Sequence, residues 1–168
     1  LDAARDVAYA LVRGQLRSGG WDYRIEFDPK RRQRYAYRVE PDREGGRNVS
    51  TLDDNNTQSA VRLLMRVDRA LDFEDEKIHE AVEFALSRLL KAQYPNGAWP
   101  QRFSTARDPD EFPVKKAGYP DSWSWTFPDR DYKSYYTFND NTIADTIAAM
   151  LEAFDIYNDA KYRAAAEK

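Results

Sequence analysis

The fold is decided by the stretch Gln93-Tyr94-Pro95-Asn96-Gly97-Ala98-Trp99, because an earlier stretch repeats its spacing. That earlier stretch is Gln15-Leu16-Arg17-Ser18-Gly19-Gly20-Trp21. Both read Q-x-x-x-G-x-W, and both follow a segment whose apolar residues have helical spacing. An internal repeat of this kind is typical of folds that stack similar helical units side by side.

A second repeated motif lies downstream of each turn. Thr51-Leu52-Asp53-Asp54-Asn55 corresponds to Thr137-Phe138-Asn139-Asp140-Asn141, and each opens the next helix. The unit is therefore a helix, a Gln-Gly-Trp turn, a loop, an acidic start and a second helix. Such units predict an all-α fold whose helices close into a ring, an α/α toroid, with the loops of one end lining a cleft. Because about two units are present, we expect residues 1–168 to form a single all-α domain or a fragment of a larger toroid.

The hydrophobic pattern predicts five helices and one strand. The helices cover residues 4–16, 55–71 and 75–93 and begin near residues 140 and 160, and residues 21–27 alternate like a strand. The predicted core faces are Val61, Leu64, Met65 and Leu71 in the second helix, Ile78, Val82, Ala85, Leu86, Leu89 and Leu90 in the third, and Ile143, Ile147, Met150, Leu151 and Phe154 in the fourth. Residues 98–136 lack helical spacing and predict a long loop of the kind that carries function.

Composition excludes several classes of function. A net charge of -3 gives no general attraction for nucleic acid or for an anionic membrane, so we expect neither as a partner. No apolar run is long enough to span a bilayer. The absence of Cys excludes disulfides, thiolate nucleophiles and Cys-bound zinc. We expect a monomer.

The two acidic motifs are the candidates for a metal site. Asp53, Asp54 and Asp140, with amides beside them, offer hard oxygen ligands without His or Cys, and such a set favours calcium. The neighbouring amides are Asn55, Asn56, Asn139 and Asn141. Asp and Asn are also good helix N-caps, and for any one of these residues alone capping is the simpler interpretation. Two acids in tandem and an Asn-Asp pair exceed what capping requires, which favours a functional role for Asp53 and Asp140.

The turns and the remaining polar residues have two interpretations. Trp21 and Trp99 could stack on sugar rings, with Gln101, Arg102 and Asn96 as polar contacts, or each Trp could pack beneath its turn. For Gln15, Gly19, Gln93 and Gly97 we favour a structural role, and for Trp99 both interpretations stay open. The basic run of Lys30, Arg31, Arg32 and Arg34 is interpreted as a solvated loop face, and His79 as a surface residue without a partner.

The motifs resemble those of pectate lyases of polysaccharide lyase family 10. The resemblance rests on 19–21, 51–57, 93–101 and 137–140, in this order, and the run Ala92-Gln93-Tyr94-Pro95-Asn96-Gly97-Ala98-Trp99-Pro100-Gln101 is its most specific part. It implies an α/α toroid of which this chain is the N-terminal half or so. It also implies β-elimination of polygalacturonate, an acidic polysaccharide, with calcium as cofactor and a secreted or periplasmic location.

The resemblance also assigns roles to individual positions. Asp53 and Asp140 would bind calcium, Asp54 and Asn139 would lie beside them, and Trp99 and Gln101 would shape the substrate cleft. The family base is an arginine that no position here matches, so the catalytic base is expected outside this chain. Two departures stand out: the family motif usually reads Asp-Asn-Gly where this chain has Asp53-Asp54-Asn55, and a long insertion separates Phe103 from Tyr136.

Two other functions are compatible with parts of the pattern. A non-catalytic carbohydrate-binding domain would keep the aromatic turns without the metal and the base. Triterpene cyclases also use Q-x-x-x-G-x-W turns, but their Asp-x-Asp-Asp motif corresponds to Ser50-Thr51-Leu52-Asp53-Asp54 here, where Ser or Thr replaces the first Asp. A mean hydropathy of -0.84 also argues against the greasy cavity of a cyclase.

Overall fold

The computed structural model describes residues 1–40, 44–114, 133, 136, 138 and 140–168. Its helices are α1 (Asp2–Gly14), α2 (Pro29–Arg32), α3 (Asn56–Ala70), α4 (Glu76–Ala92), α5 (Thr142–Tyr157) and α6 (Ala160–Glu167). Two short strands, β1 (Ser50–Thr51) and β2 (Arg102–Phe103), and a 3-10 turn at Asp53–Asn55 lie between them. The prediction of an all-α fold is confirmed, and the five predicted helices correspond to α1, α3, α4, α5 and α6.

Helix α3 lies at the centre of the helical packing, in contact with α1, α4 and α5. Its buried residues Val61, Leu64 and Met65 meet the α4 face, whose Ile78, Val82 and Leu89 have no exposed surface. Helix α4 stays helical over its full length because its apolar residues recur at helical spacing and Asp75 caps its first turn. In the described residues, no helix has both the length and the apolar character needed to cross a membrane.

The two Gln-Gly-Trp turns have the same hydrogen bonds. Gln15 Nε2 donates to Gly19 O at 3.1 Å and to Ala81 O of α4 at 2.8 Å. Gln93 Nε2 donates to Gly97 O at 2.8 Å and to Ala165 O of α6 at 2.7 Å. Each Gln therefore closes its own turn and ties it to a neighbouring helix, which confirms the structural role predicted for these residues.

Each turn requires a glycine and buries a tryptophan. Gly19 and Gly97 have φ of 111° and 89°, which only glycine adopts at low cost. Trp21 Nε1 donates to Leu11 O and Trp99 Nε1 donates to Leu89 O, both at 2.9 Å. The two indoles thus bridge back to the helix that precedes the turn.

Two predictions about the first loop are wrong in part. Residues 21–27 form no strand, because β1 pairs with β2 (Ser50 opposite Phe103, Thr51 opposite Arg102) and makes only one backbone hydrogen bond to this segment. The basic run is not uniformly solvated, since Arg32 is 5% exposed. Its guanidinium donates to Glu40 Oε1, Glu26 O and Arg13 O at 2.7 to 2.8 Å, so it holds the loop together. The other three basic residues, Lys30, Arg31 and Arg34, are exposed as predicted.

The apolar residues predicted for α5 are confirmed in part. Met150 is buried, and Ile147 and Phe154 are partly buried and pack against the core, but Leu151 is 41% exposed. The buried face consists of Thr142, Thr146, Ala149, Met150 and Ala153. Small side chains and threonine hydroxyls face α3 because Gln58 of α3 needs polar partners there.

Candidate functional site

The N-termini of α3 and α5 lie side by side at one end of the molecule. Gln58, in the first turn of α3, joins them, since its Nε2 donates to Leu52 O at 2.8 Å and to Thr142 O and Thr146 Oγ1 at 3.2 Å. The 3-10 turn Asp53–Asn55 also packs against α5. The two acidic motifs therefore begin neighbouring helices at the same end, as the repeat predicts.

Neither motif caps its helix with the N-cap side chain. Asn55 is the N-cap of α3 and Asn141 that of α5, and neither side chain accepts a capping hydrogen bond. By contrast, Asp28, Asp75 and Asp159 do cap α2, α4 and α6. The chain thus uses Asp for capping elsewhere, and the N-cap amides here have oxygens available for another partner.

Both motifs contain residues with left-handed backbone. Asp54, Asn55 and Asp140 have φ of 51°, 57° and 48°. Positive φ in residues other than glycine costs free energy and is concentrated at functional sites. Asn55 stands where the related motif has glycine, and Asn is among the residues that tolerate this conformation best. The Asn at this position therefore adopts a backbone conformation that glycine would also adopt readily.

The Asp53 carboxylate is partly buried and faces a tyrosine. Tyr23 OH donates to Asp53 Oδ2 at 2.7 Å, and the Arg102 guanidinium carbon lies 5.8 Å from the centre of the Tyr23 ring. Burial and the hydrogen bond to Asp53 raise the pKa of Tyr23, so its hydroxyl stays protonated and donates. Asp54 is exposed beside it.

The residue that follows the two aspartates in sequence has a buried amide oxygen. Among the described residues, Asn55 Oδ1 is buried without a hydrogen bond. An unpartnered carbonyl oxygen in an Asp-Asp-Asn motif fits a hard cation. In the part of the chain that the structure describes, no three His, Cys, Asp or Glu side chains form a group able to hold a metal ion. A calcium ion here would therefore also need amide, backbone, water or substrate oxygens.

The other predicted site residues have different surroundings. Trp99 is 1% exposed, so neither face of its indole can stack on a sugar, and we assign it to the turn. Gln101 is 3% exposed, its backbone O accepts from Leu52 N at 2.8 Å, and its Oε1 has no partner within the described residues. Asp140 is exposed. Asn139 and most of the insertion lie outside the described residues.

Sequence reasoning missed Tyr23 as a site residue. Its signal was present in the repeat, because Tyr23 and Gln101 each stand two residues after the tryptophan of their turn. The prediction of a surface position for His79 is wrong in part, since the residue is half-buried and its Nδ1 lies 2.9 Å from Asp68 Oδ2. That contact is a separate cluster between α3, α4 and α5 and takes no part in the acidic site.

Comparison with solved structures shows the fold. The family 10 polysaccharide lyase from Cellvibrio cellulosa is 21% identical, with a TM-score of 0.60 over 99% of this chain and 46% of that chain. A mutant family 10 polysaccharide lyase from the same organism, in complex with trigalacturonic acid, is 20% identical, with a TM-score of 0.59 over the same shares. The α/α toroid prediction is thereby confirmed, and the chain spans less than half the length of these proteins.

Comparison of sequences shows the family. No curated protein matches the chain significantly. A family model described as pectic acid lyase matches residues 15–164. Because this match covers most of the sequence, the chain belongs to the pectic acid lyase family.

Proposed function

We propose that this chain binds the calcium and the acidic polysaccharide of a pectate lyase, which cleaves polygalacturonate by β-elimination. The observation that carries the proposal is the pairing of two acidic motifs at the adjacent starts of α3 and α5, where the N-cap side chains make no capping bond. The similar Cellvibrio structure in complex with trigalacturonic acid supports a uronate polymer as the substrate.

The ligands would come from both motifs. Asp53 Oδ1, the Asp54 carboxylate and Asn55 Oδ1 would contribute from the first motif, and Asp140 from the second. Asn55 Oδ1 supports this assignment because it is buried without a partner among the described residues. Bound calcium would neutralise the negative charge that grows on the uronate when its C5 proton is removed.

The residues of this chain bind and orient the substrate. Arg102 is partly exposed beside Tyr23 and would supply positive charge to a uronate carboxylate. Asn139 stays a predicted substrate contact. Gln101 is proposed to shape the floor of the cleft from its buried position beneath Leu52. No residue of this chain is assigned as the base, which the family resemblance gives to an arginine without a match here. We also propose that the protein acts as a monomer outside the cytoplasm, where pectic polymers occur.

The experiment combines binding and product formation. The chain is tested for retention of polygalacturonate, and for the ultraviolet absorbance of the unsaturated product, with calcium and with a chelator. We expect retention only with calcium. The variant Asp140→Asn keeps a residue that tolerates positive φ and should lose this retention with a nearly unchanged melting temperature.

The matched control is Asp145→Asn, in the first turn of α5 but outside both acidic motifs, which should bind as the wild type does. Product that needs calcium would establish the elimination directly. Retention that is indifferent to the chelator would identify a non-catalytic carbohydrate-binding domain and overturn the calcium assignment. If the wild-type chain retains no polygalacturonate, either with calcium or with the chelator, the proposed substrate is overturned.

A further inference from the structure

We propose that Tyr23 is a positioning residue that holds Asp53 for calcium binding. This inference rests on the proposed function. Tyr23 OH donates to Asp53 Oδ2 at 2.7 Å, which leaves Oδ1 as the oxygen directed to the metal. The two residues are thirty positions apart, so the contact is a product of the fold.

Asp53 needs such a partner because its own turn does not orient it. The turn is a single 3-10 element followed by two left-handed residues. Asp53 N donates to Thr51 Oγ1 at 3.2 Å, but this bond does not involve the carboxylate. Within the described part of the chain, Tyr23 is the only hydrogen-bond donor to the Asp53 carboxylate. A carboxylate with free rotation would lose entropy on binding a metal, and a fixed donor removes that cost.

Tyr23 is itself well fixed by its neighbours. Trp21 is 2% exposed, its N donates to Thr57 Oγ1 at 3.1 Å, and its O accepts from Thr51 N at 2.9 Å. Asp22 Oδ1 accepts from Tyr23 N at 2.9 Å, while Asp22 Oδ2 pairs with Arg47. The backbone that leads into Tyr23 is therefore held through Trp21 and Asp22, and the phenol, which is 47% exposed, bonds Asp53 from this fixed backbone position.

The chain contains a second pair with the same geometry, which provides the control. Tyr9 OH donates to Asp75 Oδ2 at 2.7 Å, between α1 and the start of α4, away from the acidic motifs. Both Tyr23→Phe and Tyr9→Phe remove one hydroxyl from a Tyr-Asp hydrogen bond and keep the ring. If the role of Tyr23 were merely structural, the two variants would behave alike.

The test is a calorimetric titration of the chain with calcium chloride, together with melting temperatures in the absence of calcium. We expect Tyr23→Phe to bind calcium about tenfold or more weakly, the usual effect of losing a partner of a metal ligand. Its calcium-free melting temperature should match that of the wild type. Tyr9→Phe should show the opposite pattern, a lower melting temperature with unchanged calcium affinity.

The outcomes separate this inference from the proposed function. If wild type binds calcium and Asp53→Asn does not, but Tyr23→Phe binds as well as wild type, the positioning role is overturned and the metal site stands. A fall in calcium-free melting temperature as large as that of Tyr9→Phe would also overturn it. If wild type does not bind calcium, the metal assignment fails and the role of Tyr23 fails with it.

Discussion

Asp68 is a carboxylate without exposed surface, near the C-terminal end of α3. Its Oδ2 accepts from Tyr157 OH at 2.6 Å and lies 2.9 Å from His79 Nδ1, so one oxygen joins α3, α4 and α5. Burial, and then the hydrogen bond to Asp68, raise the pKa of Tyr157 far above its ordinary value, which keeps the phenol a donor. Both partners bond Oδ2, while Oδ1 is buried without a hydrogen bond among the described residues, so the buried carboxylate depends on these two contacts.

His79→Ala should therefore destabilise the fold, although His79 is the only histidine and lies far from the acidic motifs in sequence. The variant leaves Asp68 buried with one partner fewer, and we expect the free energy of unfolding to fall by about 1.5–3 kcal/mol. Urea denaturation at neutral pH measures the free energy of unfolding of the variant and of the wild type. The control is Glu83→Gln, since the Glu83 carboxylate lies 3.7 Å from His79 Nε2 and is 67% exposed. It should change stability by less than about 0.5 kcal/mol, and equal losses in both variants would contradict this role of Asp68.

At the scale of elements, the start of α4 is held by one carboxylate with three donors. Asp75 Oδ2 accepts from Tyr9 OH at 2.7 Å and Arg5 at 3.0 Å, and Oδ1 accepts from Ile78 N at 3.4 Å. Burial alone would raise the pKa of Asp75. The hydrogen bonds from Tyr9, Ile78 N and Arg5 outweigh burial, so the pKa lies below its usual value. The cap of α4 thus also fastens α1 to it.

This lowered pKa predicts how stability depends on pH. The stabilisation by ionised Asp75 is fully present above its unfolded pKa of about 3.9 and is lost as pH falls through the lower native pKa. Asp75→Asn keeps the shape and the capping ability but not the charge. Unfolding free energies of the two proteins from pH 7 to pH 2 should differ most near neutrality and converge in acid. A difference that stays constant with pH would show that the charge of Asp75 contributes nothing.

The element that the sequence predicted best is α4, whose buried face is purely apolar. A buried helix face is the one interpretation of the stripe Ile78, Val82, Leu86 and Leu89. All four residues are buried in α4. Helix α5 has apolar residues on several faces, and its buried face is chosen by Gln58, a polar residue from another helix. Local periodicity carries no information about that partner, so the sequence predicted Met150 but not the buried threonines Thr142 and Thr146.

At the scale of the whole molecule, the repeat predicted which residues come together and the fold determined how. Equivalent positions in two stacked units lie at the same end, which is why Asp53 and Asp140 could be grouped from sequence. The contact between Tyr23 and Asp53 depends on the path of the first loop, which the repeat does not specify. Likewise, a tryptophan can either stack on a ligand or pack beneath its turn, so residue type alone left the role of Trp99 open. The hydrogen bond from its Nε1 to Leu89 O, which the sequence does not specify, fixes it beneath the turn.

Gln58 links the fold to the proposed site, because it holds the starts of α3 and α5 together. Gln58→Met keeps the length of the side chain but leaves Leu52 O, Thr142 O and Thr146 Oγ1 without this donor. We expect a loss of about 1–3 kcal/mol in unfolding free energy and weaker calcium binding, because the two acidic motifs are no longer held in register. Urea denaturation and calcium titration by calorimetry measure the two effects.

The matched variant is Gln93→Met, which removes the donor to Gly97 O and Ala165 O in the second turn. It should cost a similar free energy of unfolding and leave the calcium affinity unchanged, because α6 carries neither acidic motif. If both variants bind calcium as the wild type does at temperatures where they are folded, the two motifs do not act as one site. Only a loss specific to Gln58→Met would tie the packing of α3 against α5 to the binding of the metal.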